Sequence, residues 1–197
     1  MRGKVLEIGA GHEGRRGSFK PPVKHCDGWL YLDMSLARQP DVQATVLKLP
    51  FRDGTFDTVV CLEVLEYVPA PDIAVSELAR VVDSGGQVFL STPFLHPVDA
   101  PNDFWRFTHH GLARLVQQAG LVLERVSPQG HRFGSVLGLL SQLVRDWPPS
   151  RLRVLLFRLF SFLLRFDCET DGRTYTTGYV VIANKSMQVS LNGGDEQ

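Results

Sequence analysis

Short apolar runs alternate along the chain with segments in which apolar residues recur every three or four positions. Seven runs bounded by turn residues predict strands, at 5–8, 29–33, 42–46, 56–62, 87–91, 121–126 and 178–183. Helical spacing predicts a helix over 72–82, and we expect Gly85 and Gly86 to end it. A second predicted helix is capped by Thr108 and ends at Gly120. Strands that alternate with helices predict an α/β domain with a mostly parallel sheet.

Two stretches depart from this alternation. Residues 15–28 contain Pro21 and Pro22, so we expect either a very short first crossover helix or a loop there. Residues 129–173 form an insertion before the last strand, with apolar helical segments at about 135–147 and 151–166. We therefore expect one domain over 1–185, followed by a polar, disordered tail over 186–197.

Composition narrows the class of protein. The chain has 197 residues, of which 44% are hydrophobic and 21% charged, as in ordinary globular proteins. Its 21 basic and 21 acidic residues balance, which argues against a nucleic-acid partner. Three widely spaced cysteines predict neither a disulfide nor a metal site. Without a signal peptide pattern or a confident membrane span, the expected location is cytoplasmic.

Glycines and an acid follow the first two predicted strands. Gly9 and Gly11 would let a ligand approach the backbone, although a tight turn without a ligand has the same pattern. With Gly14 they match GxGxxG, which suggests a dinucleotide. Asp33 ends the second strand roughly 20 residues later, where an acid can bind ribose hydroxyls. A turn or a helix cap is the alternative role for Asp33.

Several short motifs carry a resemblance to a known family. In chain order they are Glu7-Ile8-Gly9-Ala10-Gly11, Asp33, Leu49-Pro50-Phe51, Phe56-Asp57, Leu65-Glu66-Tyr67-Val68 and Gly85-Gly86. Together they resemble the class I S-adenosylmethionine-dependent methyltransferases, in particular the small-molecule branch called type 11. The resemblance covers about 4–126, and 178–185 resembles the final strand of that family.

The resemblance implies a doubly wound, Rossmann-like, seven-stranded sheet whose last strand is antiparallel. It also implies methyl transfer from S-adenosylmethionine to a small-molecule or a lipid- or saccharide-linked acceptor. The implied cofactor contacts are Glu7 near the methionine amine, Gly9, Ala10 and Gly11 along the methionine, Asp33 at the ribose, Met34, Thr45 and Val46 around the adenine, and Leu62 and Glu63 at the methionine end.

The sequence also departs from the family pattern. Glu13 stands where many members have a third glycine, Thr45 replaces a frequent aspartate, and Tyr67 replaces a frequent histidine. Helices that usually precede the first strand are absent from this sequence. Two rival functions therefore stay open, a nicotinamide-dependent oxidoreductase and a catalytically degenerate methyltransferase fold that serves as a partner subunit.

A base is needed only if the acceptor is a hydroxyl group, because a ready nucleophile needs mainly alignment. His96 follows the fifth strand and is the candidate base, and the favoured alternative is a loop histidine fixed between Pro93 and Pro97. Tyr67, Asp99, Asp103 and His109 are its candidate neighbours. Ligands of open α/β sheets bind beyond the carboxyl ends of the strands, so we expect the acceptor between 93–108 and the insertion 129–173.

The segment 151–166 is apolar on nearly every side of its predicted helix. Arg158, Ser161 and Arg165 form one narrow polar stripe, with Arg151 further back along it. Helices of this kind usually pack inside a protein, here against the neighbouring insertion helix. Contact with a membrane surface and a homodimer interface are the alternative roles.

Overall fold

A computed structural model describes residues 1–9, 26–130, 150–163 and 176–187, with scattered positions between 135 and 148. The strands are β1 (Gly3–Ile8), β2 (Cys26–Asp33), β3 (Val42–Gln43), β4 (Phe56–Leu62), β5 (Val82–Pro93), β6 (Leu121–Gln129) and β7 (Gly178–Lys185). The helices are α1 (Pro71–Val81), α2 (His109–Gln118) and α3 (Arg151–Leu163). Single turns of 3₁₀ helix lie at Leu36–Arg38 and Leu65–Tyr67.

The seven strands form one sheet in the order β3-β2-β1-β4-β5-β7-β6. The pairs from β3 through β5 are parallel, whereas β7 runs antiparallel to both β5 and β6. This topology confirms the predicted Rossmann-like α/β fold with an antiparallel last strand. The order reverses next to β1, which starts the chain and lies between β2 and β4. Open parallel sheets bind ligands at such a reversal.

Central strands are buried because the sheet forms the middle of the core. In β4, Val59, Val60 and Cys61 are all fully buried, as expected for a parallel strand covered on both faces. Val75 and Leu78 of α1 belong to the same apolar cluster. Burial also raises the pKa of the Cys61 thiol, so this cysteine is an inert core residue.

The predicted end of the first helix is wrong. Helix α1 ends at Val81 and β5 begins at the next residue, so Gly85 and Gly86 lie inside that strand. They accompany a shift of register between β4 and β5, and Gly85 has a φ of 75°. A bulged strand and a helix end can both require a residue with positive φ, so the glycines alone do not distinguish the two.

The second helix begins as predicted, because the Thr108 hydroxyl accepts a hydrogen bond from the Gly111 N–H at 3.1 Å. It ends two residues before Gly120. The third strand is only two residues long, against five predicted. Residues 10–25, which hold most of the predicted first crossover, lie outside the described residues, and 26–28 belong to β2. The tail beyond 187 also lies outside them.

The insertion contributes α3 and a short helical run at 135–137 to the described residues. Its second predicted segment is thus helical from Arg151 to Leu163. Among the helices of the described residues, none has both the length and the apolar composition needed to span a bilayer.

Candidate active site

A cavity of about 660 Å³ opens at the carboxyl ends of β1, β2 and β4. Its volume lies within the range of about 300–1,000 Å³ that small-molecule sites occupy. Of the predicted cofactor residues, those that line it are Gly9, Asp33, Met34, Thr45, Val46 and Glu63. They come from four separate parts of the chain, and the sheet order brings them together.

Gly9 has the backbone conformation and the surroundings that only glycine tolerates. Its φ is 82°, and a Cβ atom added there would lie 2.3 Å from Cγ2 of Val64. Its N–H donates to the Leu32 carbonyl at 2.8 Å, which holds Gly9 against the end of β2. A ligand can therefore approach this backbone without meeting a side chain.

Asp33 ends β2 with its carboxylate inside the cavity, and it is only 8% exposed. Its Oδ1 accepts a hydrogen bond from the Ser35 N–H at 2.8 Å, and its Oδ2 lies 3.8 Å from Nε of Arg38. Arg38 also lines the cavity, although the sequence analysis did not identify it. The only sequence signal was an arginine five residues after a strand-ending acid, and such spacing is common.

Met34, Thr45 and Val46 form a second patch of the lining, next to Asp33. The Met34 side chain is 70% exposed, whereas Val46 is buried in the core. The Thr45 hydroxyl accepts a hydrogen bond from the Leu47 N–H at 3.3 Å. This patch offers apolar surface and one hydroxyl group to a flat ligand.

Glu63 follows β4 in a left-handed backbone conformation, with a φ of 54°. Such backbone is uncommon for residues other than glycine and concentrates at functional sites. Two contacts to β5 hold it there, since its N–H donates to the Ser91 carbonyl at 3.0 Å and its Oε1 accepts from the Ser91 hydroxyl at 2.6 Å. Neighbouring Leu62 is not part of the cavity lining.

Three other predicted cofactor residues lie away from the cavity or outside the described residues. Glu7 is buried in β1, and its Oε2 accepts a hydrogen bond from the Trp29 Nε1–H at 2.8 Å. It does not line the cavity. Ala10 and Gly11 fall outside the described residues.

The far end of the cavity is built by the turn at 65–69 and by the loop after β5. Tyr67, Asp99 and Asn102 are its polar lining, and the Tyr67 hydroxyl donates to Oδ1 of Asp99 at 2.9 Å. Burial and this hydrogen bond raise the pKa of Tyr67 to about 12. Tyr67 is therefore a neutral donor at ordinary pH, and the Asp99 side chain that accepts its hydrogen bond also lines the cavity.

Side-chain and backbone hydrogen bonds hold this loop in place. The Phe104 N–H donates to the Glu66 carbonyl at 2.7 Å, and Nε1 of Trp105 donates to the Val68 carbonyl at 2.8 Å. Within the loop, Nη2 of Arg106 lies 2.7 Å from Oδ2 of Asp103 and 3.1 Å from the Pro97 carbonyl. The guanidinium of Arg106 also lowers the pKa of Asp103.

Glu66 lies on the turn at 65–69, does not line the cavity, and has only 1% of its surface exposed. Within the described part of the chain, its Oε2 has no hydrogen-bond partner. The pKa of Glu66 is raised to about 8, chiefly by burial and also by the nearby carboxylates of Glu63 and Asp103, against the lowering effects of a backbone hydrogen bond and of Arg106. Glu66 is consequently protonated and uncharged over most of the physiological range.

His96 lies on the exposed part of the loop and does not line the cavity. Its Nδ1 is 2.8 Å from the Pro97 carbonyl, and its own carbonyl accepts from Nη2 of Arg106 at 3.3 Å. The geometry accordingly gives Tyr67 and Asp99 better access to a bound molecule than His96. Its catalytic role stays a prediction.

No group of three or more His, Cys, Asp or Glu side chains suited to a metal ion occurs among the described residues. Cys26 and Cys61 are free thiols, and Cys168 falls outside the described part of the chain.

Residues 25–90 match the family model described as a methyltransferase domain. The ubiquinone biosynthesis O-methyltransferase of Dechloromonas aromatica (strain RCB) is 59% identical over 39 residues, which are 20% of this chain and 17% of that protein. The phosphatidylethanolamine N-methyltransferase of Cereibacter sphaeroides is 34% identical over 108 residues, covering 47% of this chain and 51% of that protein. The chain thus spans at most about half the length of these curated relatives.

Similarity of fold extends over almost the whole chain. The solved structure of phosphoethanolamine N-methyltransferase 2 from Haemonchus contortus, in complex with S-adenosyl-L-methionine, covers 95% of this chain and 49% of its own chain. The TM-score is 0.58 at 14% sequence identity, so this likeness concerns the fold.

Proposed function

We propose that this chain, which belongs to the class I S-adenosylmethionine-dependent methyltransferases and has S-adenosylmethionine as its cofactor, transfers a methyl group to a small-molecule or a lipid- or saccharide-linked acceptor. One observation carries the proposal. A single cavity joins a glycine turn, a strand-ending acid and a loop with its own polar groups. The first two suit the cofactor, and the third suits an acceptor.

The residues present fit the cofactor. Gly9 leaves room for the amino-acid end of the molecule, because no Cβ occupies the turn. Asp33 would accept hydrogen bonds from the two ribose hydroxyls, as strand-ending acids do in related folds. Met34 and Val46 would pack on the adenine ring, with Thr45 at its edge. Glu7, Ala10, Gly11 and Leu62 are proposed contacts only through the family resemblance.

Arg38 would change partners when the cofactor binds. Its Nε is 3.8 Å from Asp33, a distance typical of a weak ion pair, and more than half of its side chain is exposed. The ribose hydroxyls would therefore replace only a weak ion pair when they bind Asp33. Carboxylates at Asp33 and Glu63 would face a ligand that carries positive charge.

S-adenosylmethionine supplies an activated methyl group on a positively charged sulfur, so the protein has mainly to align the acceptor with it. Tyr67 and Asp99 would orient a hydroxyl or amino acceptor through hydrogen bonds, and Asn102 would contact the rest of that molecule. For a hydroxyl acceptor, Asp99 would also take the proton. The loop that carries Asp99 would limit the access of water to the site.

Calorimetric titration with S-adenosylmethionine and with its demethylated product tests the cofactor site. Asp33→Ala should weaken binding roughly ten- to one-hundredfold, because a hydrogen bond to a charged acceptor contributes about 1.5–3 kcal/mol. Asp27→Ala removes an exposed carboxylate from the same strand outside the cavity and should leave affinity unchanged. Equal affinity of all three proteins would refute the assignment of Asp33.

Two further results distinguish the rival functions. Binding of a nicotinamide dinucleotide without binding of S-adenosylmethionine would favour the oxidoreductase. Normal cofactor binding, with no methyl transfer to any phenolic, amine or lipid acceptor in a radiolabelled-methyl screen, would favour a partner subunit. Methyl transfer that Asp99→Asn lowers, while cofactor affinity is retained, would support the proposed acceptor end.

A further inference from the structure

Helix α3 presents an exposed apolar stripe. Leu152, Leu155 and Leu159 are spaced three and four residues apart, which places them on one side of a helix. Their exposed fractions are 54%, 62% and 46%. Leu156 and Phe160, further around the helix, are less exposed. The helix thus turns a continuous apolar surface outwards, in contrast to isolated exposed leucines elsewhere on proteins.

A basic stripe borders these leucines. Arg151 and Arg158 are seven residues apart, two helical turns, and both are exposed alongside the leucine stripe. Arg153 adds a third positive charge to the helix, and none of its thirteen residues is acidic. The whole chain is electrically balanced, so this helix concentrates positive charge that acids elsewhere offset.

We propose that α3 binds the surface of an anionic phospholipid membrane, lying in the plane of the interface. The leucine stripe would enter the boundary between headgroups and acyl chains, and the arginines beside it would contact lipid phosphates. An interfacial helix has this combination of a large apolar side with a basic flank.

The charge pattern favours a lipid surface over a second copy of the chain. In a symmetric dimer the same patch lies on both sides of the interface, so Arg151 and Arg158 would face the partner's positive charges. Helix α3 has no acid with which to pair them, and like charges at an interface oppose association. Anionic phosphates supply the missing negative charge.

Sedimentation with lipid vesicles tests the inference on the full chain. The protein should bind vesicles of phosphatidylcholine mixed with phosphatidylglycerol, and bind phosphatidylcholine alone much more weakly. Binding should also fall between about 0.1 and 1 M salt, over which the screening length shortens from about 10 to 3 Å. Failure to bind the anionic vesicles at low salt would overturn the inference.

Two variants locate the contact. Leu155→Glu with Leu159→Glu should reduce vesicle binding by at least an order of magnitude. The double variant loses two side chains that would enter the lipid, and its new carboxylates are repelled by the anionic surface. Arg151→Glu with Arg158→Glu should reduce it by roughly fivefold or more for each arginine. Controls are Ile73→Glu and Arg114→Glu, which change exposed residues of α1 and α2 and should bind as the parent does.

Circular dichroism and affinity for S-adenosylmethionine establish that each variant is folded. The inference does not depend on methyl transfer, and a protein without enzymatic activity could still bind vesicles. Vesicle binding that the α3 variants leave unchanged would overturn it. So would a dimer, measured by light scattering, that Leu155→Glu with Leu159→Glu converts to a monomer while the parent protein binds no vesicles.

Discussion

The two ends of the cavity are built by different means. At the end with Gly9 and Asp33, the positions follow from where parallel strands stop, and backbone hydrogen bonds of the sheet fix them. At the end with Tyr67 and Asp99, the positions depend on a loop that side chains such as Trp105 and Arg106 hold in place. The first end should therefore move only when its backbone is altered, whereas the second can be displaced by removing one side-chain contact. Cofactor binding and acceptor binding should respond to separate sets of variants.

Gly9→Ala should have the largest effect and should act on the cofactor end. Its Cβ would lie 2.3 Å from Cγ2 of Val64, in a backbone conformation that alanine rarely adopts. We expect cofactor affinity to fall at least tenfold, with a loss of about 1–3 kcal/mol in the free energy of unfolding. Calorimetry and urea denaturation measure the two effects.

Val64→Ala supplies the control for this prediction, because it removes the methyl group that the new Cβ would meet. The double variant should recover part of the lost stability, and the remainder reports the strain of the positive φ. If the free energy of unfolding lost in the double variant equals the sum of the losses in the two single variants, the steric explanation is wrong.

Asp103→Asn should have the next largest effect and should act on the acceptor end. It weakens the contact of Asp103 with Arg106, which joins two parts of the loop. We expect the KM for the acceptor to rise roughly tenfold, since a displaced positioning group costs about this much or more. Cofactor affinity should not change. Steady-state kinetics at saturating cofactor measure the first quantity, and a parallel loss of cofactor affinity would show that the two ends are not independent.

Tyr67→Phe should have a smaller effect at the same end. It removes the hydroxyl that donates to Asp99 but keeps the ring in the cavity wall. A neutral hydrogen bond contributes about 0.5–1.5 kcal/mol, and one to a charged group somewhat more, so kcat/KM for the acceptor should fall about three- to thirtyfold. A variant as active as the parent would exclude this hydroxyl from orienting the acceptor.

The contrast between the two ends also explains what the sequence could predict. Strand positions follow from short apolar runs, and Gly9 and Asp33 were singled out because the first follows such a run and the second ends one. Glu63 was named only through the family resemblance. Arg38 was missed because it lies on a single turn of 3₁₀ helix, where neither spacing nor polarity distinguishes it from a surface arginine. Asn102 was missed for the same reason, since contacts distant in sequence determine where the loop lies.

The error at Gly85 and Gly86 has a similar cause. Paired glycines predict a break in regular structure, but they do not say which element they interrupt. Here pairing with β4 extends β5 back to Val82, so tertiary contacts decided between a helix end and a bulged strand.

Glu66 provides a test of stability alone, because its buried side chain does not line the cavity. Its carbonyl accepts the hydrogen bond from Phe104, while its buried carboxyl has a pKa raised to about 8. In the unfolded chain the pKa returns to its ordinary value of about 4.3. Between these values the folded protein binds one more proton than the unfolded chain, so stability should fall as the pH rises from about 4.3 to 8. The slope should approach about 1.4 kcal/mol per pH unit in the middle of this window.

Glu66→Gln has no such proton, so the slope should largely disappear in urea denaturation between pH 5 and 8, even if the buried amide lowers the stability at pH 5. Cofactor affinity at pH 6 should stay that of the parent. Equal slopes in the two proteins would mean that Glu66 is ionised in the folded state, and that the buried carboxyl does not link the stability of the loop to pH.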